Sequence, residues 1–148
     1  MPASPLQLSP AFSKTPNWWA SFVGIPFAWN GSTREGVSCW GLVCLVYKDV
    51  FGIRLPRFNE LETKIEKGSG SFADFASTGK PVPLDEVRSG DVLHMWGVYK
   101  GKRRATHCGI VTEPGFVLHA EEVVGSCVSR YKGDSRFLHR VIGAYRLE

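Results

Sequence analysis

Leu42, Val43, Val46, Tyr47 and Val50 recur at spacings of three and four, the period of a helix with an apolar face. Ser38 is a good N-cap type ahead of them, and Gly31 and Gly36 make the preceding stretch a loop. Gly52 fits the C′ position, and Pro56 blocks continuation. The pattern predicts a helix that begins at Cys39 and ends before Gly52. A shorter helix is expected over Trp18 to Val23, capped by Asn17 and stopped by Gly24. Asn59 is expected to cap a third over Glu60 to Lys67, with Leu61 and Ile65 on one face. Gly68 to Ser71 reads as a flexible link. A fourth short helix is expected over Phe72 to Ser77, stopped by Gly79 and Pro81.

The period then changes from helical spacing to alternation. Asp91 to Tyr99 reads as a strand buried on both faces, and Lys100-Gly101-Lys102 as a turn. Ala105 to Thr112 is the next strand, Glu113-Pro114-Gly115 a tight turn and Phe116 to Glu121 a third strand. Val124 to Tyr131 and Arg140 to Leu147 complete the set. Helices first and an antiparallel meander afterwards define an α+β layout, a helical layer on a sheet. Residues 1–16, rich in Pro, Ser and Ala, read as an N-terminal arm; residues 17–148 read as one domain with a single core.

Composition narrows the partners. An apolar fraction of 43% and a charged fraction of 22% are those of an ordinary globular domain. The net charge of +4 is spread out except at Lys100, Lys102, Arg103 and Arg104. That spot reads as a solvated hairpin tip, so no nucleic-acid partner is expected. No stretch has the length of a membrane span, and Met1 to Thr15 lacks the basic start and apolar run of a signal peptide. Four cysteines, at 39, 44, 108 and 127, form neither a CxxC pair nor a zinc-ribbon spacing. The expectation is reduced thiols, synthesis in a bacterial cytoplasm and no cofactor. A substrate outside the cytoplasm would need another agent to deliver the protein.

Candidate chemistry begins at Cys39. At a helix start, unpaired backbone N–H groups and the positive dipole end favour a thiolate, so the residue reads as a nucleophile or, alternatively, as a buried structural thiol. Alternation places His107 with Gly109 and Val111 on one face of its strand, while Cys108 and Ile110 point away. Val117 and His119 share a face of the next strand, and the turn at Pro114-Gly115 makes the two a hairpin. Both imidazoles can therefore lie on one sheet surface. If the Cys39 helix packs across it, His107 can take the thiol proton and His119 can orient His107. The same three residues could hold zinc instead, although Cys108, turned to the other face, leaves no obvious fourth protein ligand. His94 and His139 read as hydrogen-bonded structural residues.

Gly24-Ile25-Pro26-Phe27-Ala28-Trp29-Asn30-Gly31, Gly36-Val37-Ser38-Cys39-Trp40-Gly41-Leu42-Val43 and Gly52-Ile53-Arg54-Leu55-Pro56-Arg57 resemble blocks of the NlpC-type, papain-like cell-wall cysteine peptidases. Gly90-Asp91-Val92-Leu93, Thr106 to Val111 and Leu118-His119-Ala120 continue the resemblance in order over residues 17–121. It implies a papain-like fold, with Cys39 as nucleophile, His107 as general base and acid, and His119 as the orienting third residue. It implies cleavage of peptidoglycan stem peptides between D-glutamate and a diamino acid. Phe27, Trp29, Ser38 and Trp40, grouped around the nucleophile, are the residues expected to meet substrate. Ser38 stands where the family commonly has aspartate, and Phe27 where it commonly has tyrosine, so a charge and a hydroxyl are absent. Trp40 after the cysteine is similar to the branch found in phage tails and gene-transfer particles, which would explain delivery without a signal peptide. Two rival readings stay open: a structural tail component with a decayed peptidase site, and a thiol-dependent acyltransferase or amidase on the same fold. Arg34, Arg57 and the basic tip could meet substrate carboxylates or merely be solvated.

Overall fold

The computed structural model describes residues 17–67, 79–99, 101–134, 137 and 139–147. The expected N-terminal arm and the helix expected over Phe72 to Ser77 lie outside them.

A 3₁₀ turn at Trp18–Phe22 is followed by a small hairpin, β1 (Ser32–Thr33) and β2 (Gly36–Val37). Helix α1 (Cys39–Val46) comes next and runs on through a π-helical turn at Tyr47–Phe51. Gly52 ends it in the left-handed region at φ 69°, the conformation that favours glycine. Helix α2 spans Asn59–Glu66. The strands are β3 (Gly79–Val82), β4 (Val92–Tyr99), β5 (Lys102–Glu113), β6 (Phe116–Glu121), β7 (Gly125–Arg130) and β8 (Val141–Leu147). A 3₁₀ turn at Leu84–Glu86 separates β3 from β4. These six form one antiparallel sheet in the order β3-β8-β4-β5-β6-β7. The α+β architecture expected from the change of period is the one observed.

Helix α1 is buried all round: each of its eight residues is out of solvent. The helical spacing predicted one apolar face, but Cys39, Trp40, Gly41, Cys44 and Leu45 make the opposite face apolar as well. One side lies on the sheet, against Cys108, Ile110, Leu118 and Ala120. Trp29, Leu55, Phe58 and Leu61 pack against the same core from segments outside the sheet. Trp40 ties these segments down, its indole N–H donating to the Pro56 carbonyl at 2.6 Å and its ring 6.0 Å from Phe58.

The start of α1 is fixed by three contacts. Ser38, in extended conformation, accepts from the Gly41 N–H at 3.0 Å through its side chain, as an N-cap does. Its own N–H donates to the Gly31 carbonyl at 3.0 Å. That carbonyl passes so close to α1 that a Cβ on Gly41 would lie 1.7 Å from the oxygen. The glycine is the condition for the loop to close over the helix.

Several expectations are corrected. Asn59 does not cap α2; Phe58 holds that position in the left-handed region at φ 53°, and Asn59 is the first helical residue. Gly79 and Pro81 belong to edge strand β3, a place where a missing N–H does no harm. Strand β4 is buried on both faces only in its first half, since Val98 is 60% exposed. Behind the sheet a second core gathers Leu93, Met95, Val111, Val117, Tyr131 and Ala144. By alternation this is the side to which His107 and His119 turn, so the body of α1 packs on the sheet face opposite the one expected. Among the described residues no helix is long and apolar enough to cross a membrane.

Gly41→Ala is expected to cost about 2–3 kcal/mol or more, because backbone must move to admit the methyl group. Denaturant unfolding followed by circular dichroism checks it; a midpoint equal to that of the parent would show that the loop yields freely.

Candidate active site

Cys39 is the first residue of α1 and is nearly buried. Its sulfur lies 3.8 Å from the Thr106 carbonyl oxygen on β5, one residue before His107. The structure brings the two histidines into direct contact, His107 Nε2 to His119 Nδ1 at 2.9 Å, both rings about 1% exposed. The pairing Gly109↔His119 sets this register, which places His107 diagonally across the strand pair from His119.

Glu121, two residues after His119 and therefore on the same strand face, completes a polar chain. Its Oε1 lies 3.2 Å from His119 Nδ1, 3.8 Å from His107 Nε2 and 2.7 Å from Arg140 Nη2. Arg140 is itself held by donating to the Trp96 carbonyl at 2.9 Å. At the far side His119 Nε2 meets Ser129 Oγ at 2.8 Å, with Cys127 Sγ at 3.7 Å. One tautomer set serves the ring–ring and hydroxyl contacts: His107 Nε2–H donates to His119 Nδ1, and His119 Nε2–H donates to Ser129, while Glu121 Oε1 receives no hydrogen from either ring in that set. It assigns His107 Nδ1 the lone pair of a base.

Electrostatics follow from burial and partners. Burial alone would raise the Glu121 carboxyl, but His119, His107 and Arg140 outweigh it and hold it well below the usual carboxylate range. Burial pulls His119 down, yet contacts with Cys127 and Glu121 win and leave its pKa raised. The His119 imidazole lowers the Cys127 thiol in turn. Burial drives Cys44 up to about 11 and Cys108 higher than an ordinary thiol, so both remain protonated. His107, His119 and Glu121 also offer three donor atoms within 4.8 Å of one another, a set that could hold a metal ion. The 2.9 Å ring–ring contact occupies two of those donors with each other.

The other expected residues are placed as follows. Ser38 is buried and serves as the cap; Trp40, 1% exposed, belongs to the core beneath the loop. Phe27 and Trp29 are half-buried and stack edge to face at 5.1 Å. His94 bonds the Ala105 carbonyl across the strand at 2.7 Å, as expected of a structural histidine. Glu121, Ser129 and Arg140 are additions. Glu121 was within reach of a period-two reading from His119; Arg140 arrives from a distant segment with no local signal.

A second addition lies at the tip of α1. Glu62 of α2 is 2% exposed, beside Ser38 and Cys39. Arg57 Nη2 approaches its Oε2 at 3.3 Å, but neither carboxylate oxygen makes a hydrogen bond of normal geometry. Burial therefore dominates over Ser38 and Arg57 and raises this carboxyl to about 7.

A helical layer against an antiparallel sheet, with a thiol at the buried helix tip and paired imidazoles on two neighbouring strands, is the papain-like α+β arrangement. The NlpC/P60 family profile matches residues 24–143, and the chain belongs to that family. It is 31% identical over 101 residues to the gamma-D-glutamyl-L-lysine dipeptidyl-peptidase of Bacillus subtilis, covering 68% of this chain and 29% of that protein. It is 25% identical over 117 residues to the murein DD-endopeptidase/LD-carboxypeptidase MepS of Escherichia coli, covering 79% and 53%. The chain thus spans about half or less of these relatives. Among solved structures, the NlpC/p60 domain of the peptidoglycan hydrolase SagA superposes with TM-score 0.60 at 18% identity, over 93% of this chain and 97% of that one. An NlpC/P60 family protein from Bacillus cereus gives 0.65 at 20% identity, over 94% and 41%.

Glu62 makes a pH-dependent contribution whose sign is fixed. A carboxyl raised on folding favours the folded state while protonated, so its stabilisation is complete below about pH 4.5 and is lost as pH rises through about 7. Glu62→Gln should match the parent at low pH and exceed it at pH 8 by about 2–3 kcal/mol. Thermal unfolding midpoints across pH 4–8 check this; parallel curves for the two proteins would refute it.

Proposed function

We propose that this chain is a cysteine peptidase that hydrolyses an amide bond in peptidoglycan stem peptides, of the D-glutamate–diamino acid type, through an acyl-enzyme on Cys39. The observation that carries the reading is the 2.9 Å His107–His119 contact, backed by Glu121, on a strand whose Thr106 carbonyl, one residue before His107, lies 3.8 Å from the Cys39 sulfur. The names of the Bacillus subtilis and Escherichia coli relatives supply the substrate class.

In the proposed reaction His107 Nδ1 accepts the thiol proton as sulfur attacks the carbonyl carbon. The imidazolium charge is stabilised through His119 and the ionised Glu121. The backbone N–H of Cys39, at a helix start where no intrahelical acceptor exists, faces the developing oxyanion. His107 returns the proton to the leaving amine as the C–N bond breaks. Water then attacks the thioester, its proton passing to His107, and the acid and free thiol are released. Phe27 and Trp29 wall the approach to the thiol, while Ser38 and Trp40 act by holding it in place. Delivery by a phage-like tail belongs to the same reading and rests on the likeness at Trp40.

Cys39→Ala should lower muropeptide release from purified sacculi by at least about a thousand-fold, with His107→Ala nearly as severe. His119→Asn should lose less, about ten- to a hundred-fold, because an amide still orients the imidazole. Undiminished release by the Cys39→Ala protein ends the proposal. For delivery, mass spectrometry of purified phage-like particles should find this chain; its confinement to the particle-free lysate would remove that part.

A further inference from the structure

Away from the thiol, α1 borders a cavity of about 260 Å³. Cys44, Leu45 and Leu55 form its apolar lining. Lys48, Arg54 and Arg57 supply three positive charges, and Ser32 and Thr33 of β1 supply two hydroxyls. Among the described residues no acidic side chain lines it. Asp49, the next residue in the chain after Lys48, is taken by Arg34 at 3.6 Å, and among the cations of the cavity Glu62 pairs with Arg57 at 3.3 Å. The side chains of Lys48 and Arg54 make no ion pair or hydrogen bond among the described residues. Arg57 donates through Nη2 to the Asn30 carbonyl at 2.9 Å, but its buried Nη1 has no hydrogen-bond partner. A buried guanidinium N–H without an acceptor is costly, and Lys48 and Arg54, beside the Glu62-paired Arg57, repel each other across the hollow unless an anion joins them.

We infer that this cavity is an oxyanion-binding subsite, for a carboxylate or a phosphate group. Two guanidinium forks, an ammonium and two hydroxyls match an anion with two or more acceptor oxygens. The Cys44 thiol, held protonated, adds no competing charge. Cys44 and Lys48 lie five and nine residues beyond Cys39, about 8–13 Å along the axis at the helical rise. An extended peptide covers that distance in about two to four residues. The subsite would therefore hold a group remote from the scissile bond. The identity of the carrier, an anionic cell-wall polymer, rests on the proposed peptidase function; the anion site does not. Two sources offer the same chemistry there, the carboxylates of the peptide stem and the phosphates of wall-linked polymers.

The test uses the whole chain and the double variant Lys48→Gln/Arg54→Gln, whose altered side chains are exposed. Inorganic phosphate and acetate are titrated at low salt while amide NMR signals of Ser32, Thr33 and Lys48 are followed. Saturable shifts are expected in the parent, weakened about ten-fold or more in the variant and by added salt. No saturable shift in the parent, or equal affinity in parent and variant, overturns the inference. Sedimentation with sacculi, using Cys39→Ala as the non-cleaving background, then identifies the source. A difference between parent and variant that disappears after hydrofluoric acid strips phosphate polymers assigns phosphate; one that persists assigns the stem carboxylates. Phosphate binding without any binding or cleavage of sacculi would sink the peptidase reading and leave the anion site standing.

Discussion

The Gly31 carbonyl resting on Gly41 is the contact on which the site depends. It lets a loop lie directly on the first turn of α1, so that this turn is buried although it begins a helix. A buried helix start needs partners for its leading N–H groups, and Ser38 provides one through its side chain while anchoring its own N–H on Gly31. The same closure removes Cys39 from bulk water without giving its N–H an intrahelical acceptor. Burial opposes a thiolate and the helix tip favours it, so packing and chemistry are set by one arrangement.

The imidazoles answer to a different constraint. They sit on the sheet face turned from the body of α1, among Phe137 and the second core, where an unpaired polar atom would be costly. Each ring nitrogen engaged there has a partner drawn from β6, β7 or the segment before β8: His119 from β6, Ser129 from β7, and Glu121 held by Arg140. A fixed carboxylate at the end of such a chain stabilises positive charge on either ring, which is what a base needs once it has taken a proton. Asp91 plays a comparable structural part at the start of β4. Fully buried, it receives both Arg146 Nε and Nη2 at 3.0 Å and so pins β8 beside β4, next to the Arg140 that β8 follows.

The sequence was most readable where one physical rule acted alone. The helix start at Cys39, its end at Gly52 and the hairpin from β5 to β6 follow from cap types, a left-handed glycine and alternation, and each is found. It was less readable where tertiary contacts overrule local preference. Asn59 is a better cap type than Phe58, yet Phe58 takes the position because its ring packs on Trp40. Pro81 reads as a breaker but is tolerated in β3 because that strand is an edge. The face on which α1 packs depends on the curvature and layering of the whole sheet, which no period reports. Within the site, alternation joins His107 to His119 and could have reached Glu121, whereas Arg140 and Glu62 enter from segments that only the fold brings near.

Glu62 also alters the meaning of Ser38. With serine before the nucleophile, the helix tip lacks an adjacent carboxylate, and the sequence suggests a site short of one charge. The fold returns a carboxyl to the same place from α2, buried beside Ser38 and Cys39. The substitute is not equivalent. Out of water, and with burial outweighing Ser38 and Arg57, its carboxyl is raised to about 7 and not left in the acid range, so across neutral pH it passes between a neutral and a charged state. Below that point it does not oppose a thiolate at Cys39; above it, the two negative charges disfavour each other. A carboxyl carried on a separate short helix therefore makes the electrostatics of this thiol depend on how α2 is seated, a dependence that an acidic residue at position 38 would not have.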